Sequence, residues 1–181
     1  MRGQVASRSA GLQACPQRTG RPEGLHYFRC CAALVALTAA IGACAPAPAV
    51  DKTPKAGAEM SRAVLDPYLK IQEALSDDKM DGVKANAGNV ATAASALGAP
   101  AMKIDTTAVQ LANAVEIEDA REKFGTLSEA IDNYMTGLKL KAPEGVKVAV
   151  CPMVHKPWLQ TASAIDNPYY GKSMLSCGSF R

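Results

Sequence analysis

Cys151, Met153 and His155 alternate along one short stretch, and Met174 and Cys177 add two more sulfurs further on, in a chain otherwise poor in cysteine and histidine. A β-strand turns residues i, i+2 and i+4 to one face, so an extended Cys151-Pro152-Met153-Val154-His155 presents thiol, thioether and imidazole side by side. Thiolate and thioether are soft ligands that select Cu(I) and similar ions over Mg, Ca or Mn. The predicted chemistry is soft-metal binding, with Cu(I) or Ag(I) as the cofactor and Cys151, Met153, His155, Met174 and Cys177 as candidate ligands.

The same sulfurs have a competing use. Export to an oxidising compartment makes a Cys151–Cys177 disulfide a sufficient reason for both cysteines. Closing a loop of about 26 residues stabilises a fold by roughly 3.5 kcal/mol on the chain-entropy model, and it leaves only Met153, Met174 and His155 for a metal. Enzymatic chemistry is not expected. His155 is the one histidine left once the N-terminal segment is removed, and the chain has no nucleophile elbow, phosphate-binding glycine loop, His-Glu-x-x-His helix or Cys-x-x-Cys. Zinc lacks the paired ligand spacing of structural sites.

The formal charge of +3 comes from the N-terminus. Arg2, Arg8, Arg18, Arg21 and Arg29 precede the apolar run Cys30–Ala43, and its removal with Glu23 leaves 15 basic against 16 acidic side chains. No basic patch remains for nucleic acid. The apolar run has the length of a signal-peptide core and falls short of the ~20 residues that span a bilayer. Its end, Ile41-Gly42-Ala43-Cys44, resembles the bacterial lipobox, which predicts lipidation at Cys44; ordinary cleavage after Ala43 or Ala45 is the alternative. The expected organisation is a signal peptide over 1–43 with an over-extended start, a Pro/Ala-rich tether over 44–58, and one domain over 59–181. That places the protein at the periplasmic face of a bacterial membrane, or in the periplasm.

The elements that must hold the sulfurs read mainly as helix. Asp66 and Pro67 predict an N-cap and first position for a helix running to about Ser76. Met80, Val83, Ala87, Val90, Ala94 and Leu97 recur at helical steps before Gly98 and Pro100 stop them. A third stretch from Asp105 or Thr106 carries Leu111, Ala112 and Val115, and a fourth carries Ala120, Phe124, Leu127, Ile131, Tyr134 and Leu138. The fold class expected is mainly α, an up-and-down bundle of three to four helices with a short C-terminal β-strand or hairpin segment. Val146, Val148 and Val150 alternate as a strand into Cys151, and Asn167-Pro168-Tyr169-Tyr170-Gly171 is turn chemistry that folds Met174 and Cys177 back toward it. Trp158 reads as the anchor of this piece, and Asp77, Asp78 and Asp81 as acids at a helix start.

Cys151-Pro152-Met153, Trp158-Leu159 and Asn167-Pro168-Tyr169-Tyr170-Gly171-Lys172-Ser173-Met174-Leu175-Ser176-Cys177-Gly178 together resemble a domain of unknown function. That domain occurs alone in bacterial exported proteins and fused to periplasmic adaptor subunits of copper/silver efflux pumps. Ile117–Ser128 is similar to the family's last helix, and the likeness spans roughly residues 60 to 180. The resemblance implies a small helical domain in heavy-metal handling, with Cys151, Met153, Met174 and Cys177 at shared positions and an efflux adaptor or other envelope protein as partner. Between Met153 and Trp158 the chain is shorter than the family, and His155 is its own addition. The functional expectation is an exported module that buffers or hands on Cu(I) or Ag(I); the alternative is a disulfide-stapled helical interaction domain without metal.

Overall fold

The computed structural model describes residues 53–181. The signal segment, Cys44 and most of the tether lie outside these residues. Among the described residues, four helices, α1 (Arg62–Ser76), α2 (Val83–Ala96), α3 (Met102–Ala112) and α4 (Ile117–Gly137), are followed by strands β1 (Lys147–Cys151), β2 (Lys156–Gln160) and β3 (Ser179–Phe180). Each helix packs on the next in sequence, and β2 lies against α4 and α1. The strands form an antiparallel sheet in the order β2-β1-β3. The mainly helical fold class with a small C-terminal sheet is as the periodicity predicts, and no described helix is long and apolar enough to cross a membrane.

The helical stripes bury the residues that define them. Val83, Ala87, Val90 and Ala94 of α2 and Ala120, Phe124, Leu127, Ile131 and Tyr134 of α4 lie in the core. The boundaries differ from the sequence reading. Helix α1 begins about a turn before Asp66, with Ser61 as its N-cap and Pro67 inside. Burial of Val64 and Leu65 extends the apolar face upstream, and the carbonyl left without a donor by Pro67 belongs to Ala63, an exposed residue. Met80 precedes α2, whose N-cap is Gly82 at φ 76°. Helix α3 starts at Met102 and ends before Val115, which is 80 % exposed.

Strand β1 turns its Ala149 and Cys151 face inward. Ala149 and Cys151 are buried, whereas Val148 and Val150 are only half-buried. Ala149 is opposite Trp158 in the register, and Trp158 is fully buried, so the face carrying the largest ring goes to the core whatever its smaller neighbours are. At the other end of the domain, Gly57 donates its N–H to Lys139 and Met60 to Lys141, each at 2.9 Å. The end of the predicted tether thus runs beside the segment that leaves α4.

Candidate metal centre

Strand β1 ends at Cys151 because Pro152 follows: proline has no N–H for the ladder, and its fixed φ favours a turn. Residues 152–155 form that turn, closed by the pairing of Cys151 with Lys156. His155 takes a left-handed φ of 55°. The extended strand predicted across Cys151, Met153 and His155 therefore does not form. Met153 is 59 % exposed and His155 is exposed, both on the turn, while Cys151 is fully buried at its base.

The return of the second sulfur pair follows the predicted turn. Asn167, fully buried, accepts the N–H of Tyr169 at its Oδ1 (2.8 Å) and donates from Nδ2 to the Cys177 carbonyl (2.6 Å) and to Cys151 Sγ (3.4 Å). Its backbone N–H reaches the Leu175 carbonyl at 2.7 Å. One side chain thus ties the turn at Asn167 to both cysteines. The Asn-Pro pair marks Asn167 as a turn former; its bonds to Tyr169, Leu175 and Cys177 and its thiol contact exist only once the turn is closed.

Beyond Gly171, a short 3₁₀ turn (Gly171–Ser173) delivers Met174, whose carbonyl accepts the Cys177 N–H at 3.0 Å. Met174 and Cys177 are half-buried. The Cys177 thiol is close enough to Cys151 to be influenced by it: its pKa is raised, first by desolvation and then by the neighbouring Cys151 thiol. Both cysteines are free thiols. The structure thus brings Cys151 and Cys177 together, with Met174 on the same return loop, and leaves Met153 and His155 on the exposed turn.

Two supports fix this loop. Trp158 donates its indole N–H to Gln160 Oε1 at 2.8 Å, stands edge-on to Tyr169 with centroids 5.8 Å apart, and lies against Gly178. Tyr169 in turn contacts Phe124, which stacks on Tyr68 at 4.9 Å, so an aromatic run joins the loop to α4 and α1. The second support is polar. Arg121 of α4 pairs with the Asp78 carboxylate and donates to the carbonyls of Leu75 and Pro168, both at 3.2 Å. Asp78, predicted to serve a helix start, instead holds the loop and also accepts the Lys172 N–H at 3.3 Å. Gly171 sits where any Cβ would collide with the Asp78 and Arg121 side chains.

Among the described residues no three His, Cys, Asp or Glu side chains cluster as a metal site, so His155 does not join the two thiols. What the arrangement offers is a pair of sulfurs, one buried and one half-exposed, with a thioether nearby in sequence. A family described as a protein of unknown function, DUF3347, matches residues 64–142, from α1 to just past α4. That span is similar to an uncharacterised domain and stops short of all five candidate ligands. Neither the curated proteins nor the solved structures contain a match.

Proposed function

We propose that the domain is a non-catalytic soft-metal module that holds Cu(I) or Ag(I) on the sulfurs of Cys151 and Cys177, with Met174 as the third ligand. The observation that carries this reading is that the Asn167 amide joins the Cys151 thiol of β1 to the backbone carbonyl of Cys177 on the return loop, which sets the two cysteines side by side, with a methionine three residues before the second. Paired thiolates with a thioether suit monovalent soft ions, which accept low coordination numbers and polarizable donors. Met153 and His155, on an exposed turn that begins at Cys151, are secondary positions. They serve capture or release rather than the resting site.

In the same reading the protein works outside the cytoplasm, tethered to a membrane through a lipid on Cys44, and buffers the ion or hands it to an efflux adaptor or another envelope protein. Support for the export half comes from the apolar run before Cys44, and for the efflux half from the resemblance of residues 60–180 to domains fused to such adaptors. Binding is tested on the reduced chain by titration with Cu(I) buffered by a chromophoric chelator. A single bound ion that protects two thiols from alkylation supports the reading; two thiols alkylated at the same rate with and without Cu(I) contradict it.

A further inference from the structure

The two thiols are neighbours because of the sheet register. Val150 pairs with Ser179, so the antiparallel strands bring the residues before Ser179 alongside Cys151. Gly178 makes this approach feasible: at φ 147° it has no Cβ, and one placed there would stand 2.5 Å from the Trp158 ring and 3.1 Å from the Val150 carbonyl. Asn167 then holds the Cys151 thiol and the Cys177 carbonyl with one amide. The environments of the two sulfurs are unequal. Cys151 has no exposed surface and Cys177 is half-exposed, so reagents from solvent meet Cys177 first.

A half-exposed thiol beside a buried one is the arrangement of an attacking and a resolving cysteine. We propose that Cys151 and Cys177 form a thiol–disulfide exchange pair that gates the soft-metal site, open to the ion as two thiols and closed to it as a disulfide. The gating rests on the metal reading above. In the first step the Cys177 thiolate attacks one sulfur of an external disulfide, whose S–S bond breaks, and the departing thiolate takes up the proton that Cys177 gave up. In the second, the deprotonated Cys151 sulfur attacks Cys177 Sγ, the internal S–S bond forms, and the remaining sulfur of the oxidant leaves and takes up the Cys151 proton. The pair loses two electrons and two protons, and the oxidant gains them as two thiols. Closure removes both thiolates and leaves Met174 without the stronger donors.

The full chain, reduced and metal-free, is equilibrated with mixtures of glutathione and glutathione disulfide, alkylated, and mapped by peptide mass spectrometry. Expected products are a Cys151–Cys177 disulfide in the parent, a persistent Cys177–glutathione adduct in Cys151→Ser, and almost no adduct at Cys151 in Cys177→Ser. Circular dichroism of each variant establishes that it is folded; serine at 151 keeps an acceptor for Asn167, and position 177 is half-exposed. The Cu(I) affinity of the oxidised parent, read by chelator competition, should fall by about tenfold or more and return on reduction, because both thiolate donors are lost. A stable Cys177–glutathione adduct in the parent, or equal Cu(I) affinity of the two forms, would overturn the proposal. A reduced chain that binds Cu(I) but does not exchange overturns the exchange pair alone. One that exchanges but does not bind Cu(I) overturns the metal reading and the gating with it.

Discussion

Asn167 uses both ends of its side chain and its backbone N–H, and its amide hydrogen-bonds to both cysteines, at the Cys151 thiol and the Cys177 carbonyl. Replacing a buried amide strands the groups it served, and each buried donor or acceptor left unpaired costs about 1–3 kcal/mol. Asn167→Ala should therefore destabilise the domain by roughly 3 kcal/mol and speed alkylation of Cys151, measured by urea unfolding and by thiol labelling of the folded chain. Unchanged labelling would mean that the strands, not Asn167, hold the thiols. The sequence made the residue visible as the start of an Asn-Pro turn, and the turn is there. Its grip on both cysteines was not legible, because it depends on a backbone carbonyl ten residues away and on a thiol sixteen residues before it.

At the scale of elements, helices were legible and faces were not. The α4 stripe from Ala120 to Tyr134 is continuous because every apolar residue falls on one side, and burial follows it residue by residue. Strand β1 misleads for the opposite reason: its valines mark one face, but Trp158 and Leu159 make β2 buried on both, so hydrophobicity alone does not decide which face of β1 is covered. The expected strand through Met153 and His155 fails at Pro152, a stop that the sequence contained. Trp158 is the chain's single tryptophan and lies against Gly178, the residue after Cys177, so its emission reports on the loop. Cu(I) or Ag(I) should change Trp158 fluorescence while leaving far-UV circular dichroism nearly constant, since the four helices lie outside the sulfur loop. A large gain of helical signal on adding metal would contradict this separation of bundle and site.

For the whole molecule, the aromatic run that joins bundle to sheet also fixes how it responds to alkali. Burial raises the phenol pKa of both Tyr68 and Tyr169 above the ordinary tyrosine value. A group with a raised folded-state pKa contributes stability that is complete below its unfolded value, about 10, and is lost as pH rises beyond it. The domain should therefore lose stability above about pH 10, with ionisation of Tyr68 and Tyr169 appearing together with unfolding rather than before it. Tyr68→Phe keeps the ring stacked on Phe124 but loses the hydroxyl's contacts with Ser128 (2.7 Å) and the Leu159 N–H (3.2 Å), and should lower stability by about 1–3 kcal/mol while weakening the alkaline transition. Anchoring belongs to the same scale: Cys44→Ser should shift the protein from the membrane to the soluble fraction with its circular dichroism unchanged, and persistent membrane association would contradict a lipid on that residue.

Whether the paired thiols hold a soft ion with help from one methionine is tested most directly by competition for Cu(I) against a chromophoric chelator. It is run on the reduced parent and on Met174→Leu, Met153→Leu, His155→Ala and Cys177→Ser. Leucine roughly preserves the volume and apolar character of methionine, so stability should change by less than about 1.5 kcal/mol in either Met variant. The account predicts one Cu(I) per chain, the greatest loss of affinity in Cys177→Ser, a clear loss in Met174→Leu, and small effects at Met153 and His155 on the exposed turn. Affinity that is unchanged in Cys177→Ser, or absent from the reduced parent, would contradict it.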